Sequence, residues 1–137
     1  MALEIYTDGG SKGRIGSWAY VISRRGKCLR EDSGRLCGAD CNVMEIQAAI
    51  EALRAVPAKS KVTLFSDSRI LIDAMILGDV PPSYKTQIDV LMGLNRKHII
   101  RWQWVKAHSG NAFNERCDEL CVLARGGGRP SYQSIGL

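Results

Sequence analysis

The sequence predicts a mixed α/β domain, and three observations carry that prediction. Residues 2–7 (ALEIYT), 17–23 (SWAYVIS) and 27–36 (KCLREDSGRL) are β-rich runs separated by turn formers. From Val43 to Val56 the period changes, with Ile46, Ala49, Ile50 and Leu53 recurring at helical spacing. A short apolar run at 61–66, KVTLFS, then reads as a fourth strand, so a helix crosses over between strands three and four and the sheet is mixed.

Taken in order, the first strand ends at the turn formers Asp8, Gly9 and Gly10. Arg25 and Gly26 make a hairpin turn between strands two and three, so strands one to three form an antiparallel meander. Pro57 stops the first helix. A second helix runs from Ile70 to Leu77 and is broken by GDVPPS; a third covers 84–96, a last strand 99–105 and a last helix 112–125. Residues 126–137, GGGRPSYQSIGL, read as a flexible tail beyond a single domain at 1–125.

At 137 residues the chain has room for one core and one functional site. Its 45% hydrophobic and 24% charged residues exclude disordered and fibrous classes. No apolar run reaches the roughly 18 residues that span a bilayer, and the start lacks the basic-then-apolar pattern of a signal peptide, so the expected location is cytoplasmic. A net charge of +5 points to a polyanionic partner. The five cysteines read as reduced thiols; Cys37 with Cys41 and Cys117 with Cys121 are spaced too widely for an ordinary structural zinc site.

Strand directions gather acids. If the first strand runs up, the second runs down, the third up, the first helix down and the fourth strand up. The top edge then holds Asp8 at the end of strand one, Glu45 in the first turn of the first helix and Asp67 at the end of strand four. The carboxyl ends of strands are where open α/β sheets place their sites. This count does not fix the direction of the third helix, and so leaves the last strand and His108 unplaced.

Four stretches carry a resemblance that does place them: YTDGGSKG at 6–13, NVMEIQAAIEAL at 42–53, FSDS at 65–68 and WVKAHSGNAFNERCDELC at 104–121. In this order and spacing the chain resembles a type 1 ribonuclease H, over essentially everything up to residue 125. The resemblance implies a five-stranded sheet ordered 3-2-1-4-5 with strand two antiparallel, and hydrolysis of the RNA strand of RNA/DNA hybrids to 5'-phosphate and 3'-hydroxyl ends. It also implies that Asp8, Glu45, Asp67 and Asp118 hold two magnesium ions, with manganese as a substitute, to activate water and neutralise the leaving oxygen. His108 is then a helper that moves protons or aids product and metal release rather than a ligand. The expected partner is the hybrid and the expected state a monomer. The alternative is a catalytically impaired nucleic-acid binding module of the same fold.

Substrate contacts are expected from Gly9, Ser11, Asn42 and Gln47 across a minor groove, and from Lys12, Arg69, Lys106 and Asn114 around the site. Each acid also has a local reading: Asp8 as a turn former, Asp67 as a cap of the second helix, Glu45 as a partner of the first helix's dipole. Asn42 reads equally as a helix cap, Asn114 as a helix-start hydrogen-bonder, and Trp102 and Trp104 as core. The chain departs from the family pattern in three places. SKGRIGS is short, residues 78–98 have no room for a basic protrusion, and Asp40 puts an acid where relatives carry a hydroxyl in a phosphate pocket. Weaker hybrid binding follows unless Arg125 and Arg129 near the C-terminus supply compensating charge.

Overall fold

A computed structural model describes residues 2–126, so the expected tail lies, except for Gly126, outside the described residues. Strands β1 (Leu3–Lys12), β2 (Ile15–Arg24) and β3 (Lys27–Cys37) form the meander, followed by α1 (Cys41–Arg54), β4 (Lys61–Ser66), α2 (Arg69–Leu77) and a single 3₁₀ turn at Pro82–Tyr84. Helix α3 (Lys85–Asn95), strand β5 (Ile99–Trp104) and helix α4 (Ala112–Arg125) complete the chain. The sheet order is β3-β2-β1-β4-β5, with β1 antiparallel to β2 and parallel to β4, and β4 parallel to β5. The fifth strand therefore points the same way as the first, which the count of directions left open. No basic protrusion interrupts residues 78–98, which hold only the 3₁₀ turn and α3.

The meander turns where the sequence puts a turn. Arg25 and Gly26 both take positive φ, 53° and 76°, as the two-residue hairpin that matches strand twist requires. Asp8 to Gly10, in contrast, is no turn. Strand β1 continues to Lys12 in register with β2 (Gly9 opposite Trp18, Gly10 opposite Ser17), and the chain reverses only at Gly13 and Arg14. Glycine sits at position 9 because α1 lies against it: an added Cβ would fall inside the backbone of Met44 and Glu45.

The helix caps also differ from the local readings. Asp40, not Asn42, caps α1 by accepting from the Val43 N–H, and the Asn42 amide instead donates to the Tyr84 hydroxyl at 3.0 Å. Ser68, not Asp67, caps α2, and Asn111, not Asn114, caps α4 by accepting from the N–H groups of Phe113 and Asn114. Glu45 lies past the first turn of α1, which contains no acid, so the dipole reading fails as well. Among the described residues no helix is long and apolar enough to cross a membrane.

Packing is uneven across the sheet. On one face α1, α2 and α3 bury Ile5, Ile22, Ile46, Leu53, Leu64 and Leu91 in a continuous core that takes in Trp102. On the other, α4 covers Tyr6, Ala19 and Val21 with Cys117, Leu120 and Cys121.

Candidate active site

The site begins with strand register. Tyr6 on β1 is paired with Phe65 on β4, and their rings stack 4.7 Å apart between centroids on the α4 side of the sheet. Two residues further along each strand, the same pleat brings Asp8 and Asp67 side by side at the carboxyl edge. Glu45 comes to them from α1, because Gly9 lets that helix approach β1 without a Cβ between them. One carboxylate oxygen from each of Asp8, Glu45 and Asp67 lies within 4.8 Å of the others. Asp118, on the first half of α4, stands outside that set of three, although its charge acts on Asp8.

These acids are crowded and poorly solvated. Asp8 is 9% exposed and Glu45 8%. Burial first, then the charges of Asp67 and Asp118, push the Asp8 carboxyl up to about 7. Glu45 is pushed well above the ordinary carboxyl range by burial and by Asp8 and Asp67, and it shares a hydrogen bond with Asp67. Its Oε1 is buried without a hydrogen-bond partner. A hydrogen bond from the Gly9 N–H favours the ionised forms of both Asp8 and Glu45. Three oxygen donors, an orphaned buried carboxylate atom and unrelieved like charge fit a hard divalent cation. Among the described residues no group of thiols does the same. Cys117 and Cys121 are buried and donate to the carbonyls of Tyr6 and Asp8, while Cys37 and Cys41 are exposed elsewhere.

Around the acids the expected residues fall into two groups. Arg69 is held: its guanidinium lies 3.9 Å from the Trp104 ring centroid, and Trp104 Nε1 donates to the Asp67 carbonyl at 3.3 Å. Trp104 thus ties one acidic strand end to one candidate phosphate contact, a role that its reading as plain core did not contain. Asn42 is held by Tyr84, whose hydroxyl also donates to Asp40 at 3.2 Å. Asn114 is 4% exposed with its Oδ1 unpartnered. Ser11, Lys12 and Lys106 are exposed and Gln47 is half-buried. His108 follows β5 on the same edge as Asp67, exposed and with φ of 53°.

The comparisons agree with this geometry. The sequence model of the RNase H family matches residues 1–125. A curated relative named Ribonuclease H from Geotalea uraniireducens is 34% identical over 139 residues, covering 90% of this chain and 94% of the relative. The fold matches LC9-RNase H1, a type 1 RNase H with the type 2 active-site motif, at a TM-score of 0.82 and 22% identity, over 99% of this chain and 77% of that one. It also matches LC11-RNase H1, solved in complex with RNA/DNA hybrid, at a TM-score of 0.76 and 25% identity, over 91% and 97% of the two chains. With a family match over nearly the whole described chain, a relative above 30% identity and the sheet order of the fold, the chain belongs to the RNase H family.

Proposed function

We propose that the protein is a divalent-metal-dependent endoribonuclease that cuts the RNA strand of RNA/DNA hybrids and leaves 5'-phosphate and 3'-hydroxyl ends. The observation that supports this most directly is the cluster of Asp8, Glu45 and Asp67, whose oxygens converge within 4.8 Å on a strand edge where burial leaves their charge unrelieved. Asp8, Glu45, Asp67 and, from α4, Asp118 would hold two magnesium ions, which manganese would replace. Bound there, the pair would activate the attacking water and neutralise charge on the leaving 3' oxygen.

The chain's own groups do the rest. His108, exposed on its turn, exchanges protons between the attacked phosphate and bulk water. Arg69, immobilised on Trp104, presents a guanidinium to a phosphate beside Asp67. Asn42 and Gln47 on α1, with Gly9 and Ser11 on β1, face the minor groove, where a 2'-hydroxyl distinguishes RNA from DNA. Lys12, Lys106 and Asn114 flank that path. The enzyme works as a monomer in the cytoplasm, with residues 1–125 as its ribonuclease H domain.

One observation favours the rival reading of a binding module with impaired turnover. Asp40 caps α1 and is closed over by Tyr84, so an acid occupies the helix start where an anion would otherwise sit. The test is cleavage of an end-labelled RNA/DNA hybrid beside RNA/RNA and DNA/DNA duplexes, in magnesium, manganese or chelator, by the wild type and Asp67→Asn. The expected result is hybrid-only cutting that stops with chelator and falls by at least about 100-fold in the variant. Binding of hybrid without cutting in either metal would leave the binding module standing.

A further inference from the structure

The second half of α4 carries a cation that the proposed mechanism leaves unused. Arg125 folds back over the sheet, and its Nη1 donates to Ser17 Oγ on β2 at 3.0 Å. It also lies so close to β1 that a Cβ on Gly10 would meet the same nitrogen at 2.5 Å. Gly10 lies two residues from Asp8 on the same face of β1, and the Arg125 charge acts on Asp8 against the acids around it. Of the guanidinium's five N–H donors one is used, and no carboxylate lies within ion-pair distance of it among the described residues. A half-buried arginine with most of its donors unpaired among the described residues, beside an acidic cluster, is poorly explained as packing alone.

The pleat shows what lies beside it. Tyr6, Ala19 and Val21 face α4, so Gly10 and Lys12 on β1 and Ser17 on β2 share that face. On β3, Glu31 meets Arg116 of α4, and Arg35, opposite Ser17, lies on the same side. Lys12, Arg125 and Arg35 therefore form a cationic track on three neighbouring elements. It starts at the carboxylates and leads across Gly10 toward the β3 edge, with Lys12 and Arg35 exposed.

We propose that Arg125 is a phosphate-binding residue for the nucleic-acid strand next to the cleaved position, with Lys12 and Arg35 continuing the contact along the backbone. Such a track would supply cationic charge to the strand on the side of the carboxylates away from Arg69. The inference rests on the reading of the protein as a hybrid-cutting nuclease. Guanidinium geometry suits a phosphodiester, which accepts two parallel N–H bonds, and the Ser17 bond fixes the guanidinium before substrate arrives.

The experiment is steady-state cleavage of hybrid by full-length wild type, Arg125→Gln, Arg125→Lys and Gly10→Ala, with hybrid binding in calcium at several salt concentrations and a thermal melt of each. Arg125→Gln should raise KM about three- to tenfold at nearly unchanged kcat. It should also lower the slope of log affinity against log salt by about one, and Arg125→Lys should restore most of both. Gly10→Ala, which displaces the guanidinium tip without removing its charge, should raise KM to a smaller extent. Unchanged KM and salt slope in Arg125→Gln would overturn the inference, as would a fall in kcat alone, since that would mean Arg125 acts only through Asp8. A wild type that cuts no hybrid would instead defeat the parent reading, and the melts separate either result from misfolding.

Discussion

On one face of the sheet three helices bury long aliphatic side chains against each other; on the other, a single helix rests on the strands through a smaller cluster of Leu120, two thiols and the Phe113 ring against Tyr6. The wide face buries Ile46, Leu53, Leu64 and Leu91 at 1% exposure or less. The narrow face is where Asp118 and Arg125 depart toward the site, and there Asn114 is buried with an unpartnered amide oxygen. Stability is concentrated where no chemistry is proposed, and the face that brings a fourth carboxylate holds the smaller of the two buried clusters. Helix α4, with five buried residues against eight in α1, is thus expected to open by local fluctuation more readily than α1.

Truncation on each face tests that contrast most strongly. Ile46→Ala, at a fully buried site in the wide core, should cost about 4 kcal/mol in urea unfolding. Leu120→Ala should cost about 2 kcal/mol, because α4 can settle against the strands and water can reach its edge. Equal costs would mean that the two faces are equally rigid.

The next effect is electrostatic. Folded Asp8 keeps its proton to about pH 7, against an unfolded value of 3.8. Between those values the folded state binds more protons than the unfolded one, so the stability of the metal-free protein falls as pH rises from about 4 to 7. The ceiling on that loss from Asp8 is on the order of 4 kcal/mol. Urea unfolding with chelator, wild type against Asp8→Asn, isolates it: the variant should gain on the wild type across this window and stay ahead above it. Magnesium at pH 7.5 should return the wild type's loss and leave Asp8→Asn nearly unmoved. A wild type that gains on the variant with rising pH would mean that the cluster carries no like-charge strain.

How far this architecture is legible in the sequence depends on the range of the interaction. Strand and helix order follow from local periodicity, and the three converging acids follow from counting directions. Gly9 and Gly10 read as a turn because glycine is the usual turn residue; they are glycine for tertiary reasons, one for α1 and one for Arg125. Asn42 and Asn114 read as caps because the residue type fits, while the backbone enters each helix a few residues earlier, at Asp40 and Asn111. The direction of β5 is open to counting because α3 could be laid either way. The resemblance to the family, rather than any local pattern, placed Asp118. Trp104 and Arg125 carry no local signal, since their partners Asp67 and Ser17 lie 37 and 108 residues away.

The smallest effect is kinetic, and the cysteines report it. Cys37 and Cys41 are exposed, whereas Cys117 and Cys121 are buried under α4 with their thiols pushed up by burial and by the neighbouring Asp8. A thiol reagent should therefore label the first pair quickly and the second only when α4 lifts. If the narrow face is the weak one, the slow phase should be faster than exchange of the α1 core amides, because it needs only local opening. Magnesium should slow that phase alone by a few-fold, since an ion shared between Asp118 and the three edge carboxylates would pin α4 to the sheet. A slow phase that matched global unfolding and ignored magnesium would show α4 to be as firmly seated as α1.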